Sequence, residues 1–324
     1  MKGILKKIGV VIFSVLFLFS CAGENRKFDE NKIKISTSII PLASIANHIG
    51  GDKVSVVSTI KKGTSPHNFD LKPEDIVNIQ KADIVVYTGF GLDNFFDKNI
   101  KPKQKVITMR EFSVKREVRE GAEHNHNTEN HVLDNTGEDF DEHKNYDPHV
   151  WLSPMNAKFL AREVKESLIK KDEKNKQYYE DNYLDFQDKI NELLNDFYDF
   201  QEGKNQDYFI ILHDGFEYLF YEIGVDKDKQ LVIRKTPGVE ITIKDFLQIK
   251  KIINNEKDKT VGAIFKEPEF DSKAIASLEE NYNIPIRSMS PLGDSENKGG
   301  YIDNLRKNLE ALKTIYHSEE TQEK

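Results

Sequence analysis

The chain has 324 residues and a formal net charge of −8 at pH 7. An acidic chain is poorly suited to bind nucleic acid or an anionic lipid surface, because both partners require a cationic face. About 300 residues beyond the N-terminal segment exceed one comfortable hydrophobic core, which favours two domains. The single cysteine excludes a disulfide within the chain.

The N-terminus has the layout of a secretory signal peptide, predicted over residues 1–20. Three lysines precede an apolar run of twelve residues, Ile8 to Phe19, whereas a membrane-spanning helix needs roughly 20. The run ends at Leu18-Phe19-Ser20-Cys21, which resembles a lipobox and predicts lipidation of Cys21; an ordinary signal peptide with an incidental cysteine is the alternative. The mature chain would carry a formal charge of −11, and residues 21–32 would tether it to the membrane on the periplasmic or extracellular face.

If Cys21 carries lipid, no thiol remains, so any metal must be held by imidazole and carboxylate groups.

Strands and helices then alternate along the first half of the chain. Strands are predicted at residues 32–40, 53–60, 83–89 and 103–109, and helices at 41–50, 73–82 and, more briefly, 92–99. This alternation predicts a mainly parallel sheet with helices on both faces.

Residues 116–147 interrupt this pattern. They have almost no apolar periodicity and concentrate four histidines among many acids: His124, His126, His131 and His143. We expect a loop or an intrinsically disordered insert here.

Two helices should follow the insert, at 153–171 and 172–201. In the second, apolar residues recur every three or four positions from Tyr179 to Phe197, and about 30 residues would extend about 45 Å.

From residue 207 the alternation of strands and helices resumes through to the C-terminus, which predicts a second α/β lobe. The expected fold class is therefore α/β: two lobes, each with a mainly parallel sheet flanked by helices, joined by one long rigid helix. The expected boundaries are residues 33–170 for the N-terminal lobe, 171–203 for the linking helix and 204–324 for the C-terminal lobe.

Three histidines follow predicted strands or precede predicted helices, where ligand groups gather in open parallel sheets: His67, His149 and His213. Any one of them alone is more simply read as a capping or core residue. Together they lie in the first lobe, at the junction and in the second lobe. Facing lobes would bring three imidazoles together, a set that suits Zn²⁺ or another late first-row divalent ion.

Four segments carry a resemblance to a known family: Pro-His-Asn-Phe at 66–69, Asp-Pro-His-Val-Trp-Leu-Ser-Pro at 147–154, His-Asp-Gly-Phe at 213–216 and Pro-Leu-Gly at 291–293. In their residues and their order they resemble the zinc- and manganese-binding lipoproteins of bacterial metal ABC importers (cluster A-I, the periplasmic zinc-binding protein family). The resemblance implies a metal between the two lobes, bound by His67, His149 and His213, and a receptor that delivers it to a permease and its ATPase.

Manganese-preferring relatives tend to have a glutamate where this chain has His213, so the resemblance favours Zn²⁺ as the transported ligand, with Mn²⁺ as the alternative. Zinc-type relatives often supply a fourth, aspartate ligand where this chain has Ser290. Water, Asp294 or Glu240 are the candidates for that position. The histidine-rich insert resembles a charged loop of zinc-type relatives and is predicted to hold auxiliary metal sites, against the alternative of a solvated loop.

Two other functions are compatible with these residues. Three histidines with an open position also describe catalytic zinc, with Asp147 or Asp214 as a base, but no HExxH or His-x-His pair occurs among them and no enzyme is predicted. An anchored, exposed protein could also be a surface adhesin lipoprotein.

We expect the protein to be a monomer. It should bind metal less well below roughly pH 6, where protons compete for the imidazoles.

Overall fold

The computed structural model describes residues 27–116, 146–233, 242–255, 260–268 and 273–318. The predicted signal peptide, Cys21, the four histidines of the insert and Glu240 lie outside the described residues. No helix within the described parts of the chain combines the length and apolar character needed to cross a membrane.

The first sheet contains four parallel strands in the order β2-β1-β3-β4. The strands are β1 (Ile33–Thr37), β2 (Val54–Ser58), β3 (Ile84–Tyr87) and β4 (Lys105–Thr108). All four residues of β3 are buried, as expected for a central strand of a parallel sheet covered on both faces. The segments rich in β-branched residues therefore form the predicted parallel sheet.

Three helices accompany this sheet: α1 (Ile40–Gly50), α2 (Pro73–Lys81) and α3 (Pro154–Lys171). Each begins with a proline in its first turn, where the missing N–H costs no hydrogen bond. Helix α3 is also capped by Ser153, whose hydroxyl accepts a hydrogen bond from the Asn156 N–H at 3.0 Å.

The long helix α4 covers Lys176–Gln201, inside the range predicted for the linking helix. Its buried apolar residues lie along one face, at spacings of seven, four, four and three positions: Tyr179, Phe186, Ile190, Leu194 and Phe197. The side chains of this face belong to a hydrophobic core that also includes residues of both sheets. Helix α4 therefore packs against both lobes rather than crossing open solvent between them.

The second sheet repeats the topology of the first, with four parallel strands in the order β7-β6-β8-β9. Its strands are β6 (Tyr208–Ile211), β7 (Gln230–Val232), β8 (Val261–Lys266) and β9 (Ile286–Ser288). Its helices are α5 (Glu217–Glu222), α6 (Ile243–Asn255), α7 (Lys273–Tyr282) and α8 (Gly300–Leu312). The predicted two-lobed α/β fold is confirmed, while the residue boundaries of the lobes stay a prediction.

Two local predictions differ from the structure. The short helix predicted over 92–99 is wrong: this segment runs as consecutive turns, and Asp93 turns its carboxylate to the Thr88 and Gly89 N–H groups at 2.7 and 2.9 Å. A small antiparallel pair, β5 (Lys204–Gln206) with β10 (Tyr316–Ser318), was not predicted. Each of its strands has only three residues, too few to show a period of two.

The segment between β9 and α8, together with the first turn of α8, contacts the first lobe. The Ser44 hydroxyl of α1 donates to the Asn297 carbonyl at 2.9 Å and accepts from the Tyr301 N–H at 2.7 Å. The Trp151 indole N–H donates to the Pro291 carbonyl at 2.8 Å. These bonds, with the shared core, join the two lobes by more than the long helix.

Candidate metal site

Each of the three predicted histidines lies in or next to a structural element that fixes its backbone. His67 lies in a 3₁₀ turn, Pro66–Asn68, beyond the end of β2, and its N–H donates to the Ser65 hydroxyl at 3.3 Å. His149 immediately precedes a 3₁₀ turn, Val150–Leu152, that leads into α3. His213 lies two residues beyond the end of β6. All three therefore come from loops next to regular elements, as expected for a site at strand ends.

The structure brings the three imidazoles together. Their ring centroids are separated by 5.3 Å for His67 and His149, 5.8 Å for His67 and His213, and 5.0 Å for His149 and His213. One nitrogen from each ring lies within 4.8 Å of the others, and the Nε2 atoms of His67 and His149 are 3.3 Å apart. Two nitrogens bound to one tetrahedral zinc would be separated by about 3.3–3.4 Å.

Asp147 fixes the orientation of His149. Its Oδ1 accepts hydrogen bonds from the His149 backbone N–H at 2.9 Å and from Nδ1 of the same residue at 2.7 Å. A carboxylate only accepts, so Nδ1 carries the proton and Nε2 keeps its lone pair for a metal. The Tyr218 hydroxyl in turn donates to the Asp147 carbonyl at 3.0 Å, which holds this segment against α5.

Glu267 fixes the orientation of His213 in the same way. Its Oε1 accepts from Nδ1 of His213 at 2.6 Å, and both side chains are buried. Burial acts to lower the pKa of His213, but the hydrogen bond and charge of Glu267, aided by Asp214 and Asp147, raise it above its usual value. The other ring nitrogen, Nε2, is buried without a hydrogen-bond partner among the described residues, and Asp214 Oδ1 lies 3.9 Å from it. A buried, unpaired nitrogen lone pair at this position suits a metal ligand.

Sequence reasoning did not single out Glu267. A weak signal was present, because Glu267 directly follows the strand β8, as His213 follows the neighbouring strand β6. Only the register shows that they meet: Ile211 is paired with Phe265, so His213 and Glu267 each lie two residues beyond a matched pair.

Gly215 lets the backbone lie against two of the imidazole rings. A Cβ atom at this position would be 2.8 Å from Cε1 of His213 and 3.2 Å from Cδ2 of His149. The first distance is shorter than real Cβ contacts allow, so a side chain here would displace the rings. The glycine of the His-Asp-Gly-Phe segment therefore has a steric role in shaping the site.

The candidates for a fourth ligand lie elsewhere or outside the described residues. Asp294 is 55% exposed, and its carboxylate faces Lys62 at 3.5 Å and Lys307 at 4.0 Å. Ser290 Oγ accepts a hydrogen bond from the Gly293 N–H at 2.9 Å, within its own turn. Within the described parts of the chain, the group of side chains able to hold a metal consists of the three histidines alone.

The sequence profile of the family named ZnuA, described as "Zinc-uptake complex component A periplasmic", matches residues 35–315. The chain belongs to the ZnuA family. This confirms the family suggested by the sequence motifs.

Two curated relatives of this ZnuA-family chain come from Streptococcus pneumoniae. The zinc-binding lipoprotein AdcA (strain ATCC BAA-255 / R6) is 26% identical over 321 residues, which cover 95% of this chain and 61% of AdcA. The manganese ABC transporter substrate-binding lipoprotein PsaA is 26% identical over 329 residues, which cover 96% of this chain and 98% of PsaA. The chain thus spans about three fifths of AdcA and nearly all of PsaA. Both relatives are named as binding proteins of metal ions, and neither name describes an enzyme.

Solved structures agree with this family assignment. A zinc-bound variant of AdcAII from Streptococcus pneumoniae superimposes with a TM-score of 0.67 and 27% identity, covering 89% of this chain and 99% of that one. The crystal structure of ZnuA has a TM-score of 0.66 at 21% identity, covering 88% of this chain and 99% of that chain, which supports the fold alone.

Proposed function

We propose that this protein is the extracytoplasmic receptor of an ABC importer, and that it captures Zn²⁺ between its two lobes and delivers it to a membrane permease. The observation that carries the proposal is the convergence of His67, His149 and His213, with one nitrogen of each within 4.8 Å of the others. Asp147 and Glu267 bind the Nδ1 atoms of His149 and His213, so both rings offer Nε2 to the metal.

The donor set favours zinc as the cargo. Three imidazole nitrogens are borderline-soft ligands that suit Zn²⁺, whereas Mn²⁺ prefers carboxylate, carbonyl and water oxygens. The separation of 3.3 Å between two of the Nε2 atoms also fits tetrahedral bonds of about 2.0–2.1 Å. In this proposal the fourth position is held by water or by Glu240, since Asp294 is exposed and faces Lys62 and Lys307. A loss of zinc affinity in Glu240→Gln, with none in the control Asp294→Asn, would identify Glu240 as the ligand, and unchanged affinity in both favours water.

Manganese is the second candidate, because PsaA, a relative of which the match covers 98%, is named for manganese. A direct competition decides between the two metals. The metal-free protein is incubated with equal, limiting amounts of Zn²⁺ and Mn²⁺, separated from free ions and analysed for metal content. Zinc in large excess over manganese supports the proposal, and a majority of manganese contradicts it.

The membrane context follows from the N-terminal segment. We propose that Cys21 carries the lipid anchor and that the polar residues up to 32 allow the receptor to reach its permease and ATPase. The lobes share one core along α4, which favours small lobe movements over wide hinge opening during metal release. Mass spectrometry of the protein from membranes, compared with Cys21→Ala, tests the anchor: a diacylglycerol adduct is expected on the first protein only.

Growth under zinc chelation tests transport itself. A strain that lacks this protein should grow poorly with a zinc chelator and recover with added zinc. The wild-type gene should restore growth, and a gene carrying His213→Ala should not. His317→Ala is a matched control, since His317 lies in β10 and outside the histidine cluster. Normal growth of the deletion strain under chelation would argue against transport as the main role.

A further inference from the structure

Two buried carboxylates support the histidine cluster from behind. Asp147 is 4% exposed and Glu267 is 5% exposed, and each accepts a hydrogen bond from the Nδ1 atom of one histidine, at 2.7 and 2.6 Å. Asp147 is two residues from its histidine, so its position follows from a local turn. Glu267 is 54 residues from His213, and only the fold brings them together.

We infer, on the basis of the proposed function, that Glu267 is a positioning residue of the metal site. It holds His213 with Nδ1 protonated and Nε2 directed at the cation, and together with Asp147 it supplies the negative charge that no carboxylate ligand in the described residues provides. The site would then bind a divalent ion as a nearly neutral assembly, with both charges outside the coordination sphere.

The backbone on both sides of the pair is fixed. Strands β6 and β8 are neighbours in the sheet, with Ile211 opposite Phe265. Beyond this pair the Leu212 N–H still donates to the Phe265 carbonyl at 3.2 Å, and the Met289 N–H donates to the Lys266 carbonyl at 2.9 Å. Glu267 therefore projects from a strand end held by β6 on one side and by the segment after β9 on the other.

Charge balance supports the same assignment. Three neutral imidazoles contribute no charge, and a buried dication is costly unless negative groups compensate it. The Ser290 hydroxyl accepts a hydrogen bond from the Gly293 N–H within its own turn and adds no charge. Asp147 and Glu267, together with the buried Asp214 whose Oδ1 lies 3.9 Å from Nε2 of His213, would provide the negative charge that a divalent cation requires.

The test compares two changes at one position. Glu267→Gln keeps the size of the side chain and an amide oxygen that accepts from Nδ1, but removes the charge. Glu267→Ala removes both. Zinc affinity is measured by competition with a chromophoric chelator, and the tautomer of His213 is measured from imidazole ¹⁵N shifts in the metal-free protein. Supporting residues behind metal ligands typically contribute 10–100-fold in affinity.

We expect Glu267→Gln to bind zinc about 10–100-fold more weakly while His213 keeps its Nδ1–H tautomer. Glu267→Ala should bind more weakly still and lose that single tautomer. Glu222→Gln is the matched control. The Glu222 carboxylate of α5 accepts hydrogen bonds from Ser153 Oγ at 2.5 Å and from the Met155 N–H at 2.7 Å, and neither bond involves one of the three histidines. Its zinc affinity should equal that of the wild type.

Wild-type zinc affinity in Glu267→Gln would overturn the charge role, and an unchanged tautomer in Glu267→Ala would overturn the positioning role. If Glu267→Ala fails to fold, the affinity of Glu267→Gln decides. If the wild type binds no zinc, the proposed function fails. In that case the ¹⁵N shifts of the metal-free protein still show whether Glu267 sets the tautomer.

Discussion

Replacing Gly215 by alanine tests whether the close packing of the histidine rings determines metal binding. The added Cβ would lie 2.8 Å from Cε1 of His213, about 0.6 Å closer than the 3.4 Å at which ordinary contact begins. The ring must therefore move by a few tenths of an ångström or more, whereas metal–ligand distances tolerate about 0.2 Å. We expect zinc affinity to fall at least about tenfold, the lower end of the effect of disturbing a supporting residue.

The assay is chelator competition for zinc affinity, with thermal unfolding of the metal-free protein measured in parallel. Gly262→Ala is the control, because its Cβ would lie at the same 2.8 Å from Asp207 Cβ. Gly262 is near the start of β8, at the opposite end of that strand from Glu267. Overpacking should cost each variant about 1–3 kcal/mol of stability. Only Gly215→Ala should lose zinc affinity. Affinity within twofold of the wild type in Gly215→Ala would refute this reasoning.

Three further substitutions test other parts of the structure. Tyr301→Phe removes the donor to the buried Trp151 carbonyl at 2.9 Å, and should lower the free energy of unfolding in urea by about 1–3 kcal/mol. Ser290→Ala should leave zinc affinity unchanged in chelator competition, because the Ser290 hydroxyl is engaged by the Gly293 N–H. Burial lowers the pKa of His48 below its usual 6.5, so the unfolded chain takes up a proton that the folded protein does not. His48 should therefore destabilise the metal-free protein as the pH falls from 6.5 towards its folded-state pKa, opposite to the effect of His213, so His48→Gln should lose less stability than the wild type over this range.

For each of these predictions, a control variant or a specific result would contradict the reasoning. Tyr221→Phe alters a side chain that is 67% exposed and should leave stability unchanged; equal losses in both tyrosine variants would contradict the role of the buried bond. A tenfold loss of zinc affinity in Ser290→Ala would identify the serine as a ligand. For His48, an unchanged slope of stability against pH between 5 and 7 in His48→Gln would show that other groups cause the dependence.

The sequence was sufficient for the regular part of the fold. Alternating strands and helices predicted two parallel sheets, and the spacing of apolar residues from Tyr179 to Phe197 predicted the long helix. Short or irregular elements were not accessible, since three-residue strands have no visible period. The turns at 92–99 were misjudged because the Asp93 carboxylate binds backbone N–H groups beyond β3, a contact that apolar spacing does not encode.

The site was predictable as far as it depends on single positions. His67, His149 and His213 were identified because each follows a predicted strand or precedes a predicted helix, and the structure brings their rings together. Glu267 was not identified, because its contact with His213 depends on the register between β6 and β8. Periodicity gives the existence of a strand but not its alignment with its neighbour.

The metal content of the purified protein tests the central claim most directly. Wild type and His67→Ala are exposed to excess Zn²⁺, freed of unbound metal by gel filtration with a weak chelator, and analysed by mass spectrometry of the elements. We predict one tightly held zinc per wild-type chain and none in His67→Ala, with both proteins folded by circular dichroism. Equal tightly held zinc in the two proteins, or none in either, would contradict a site built from the three histidines.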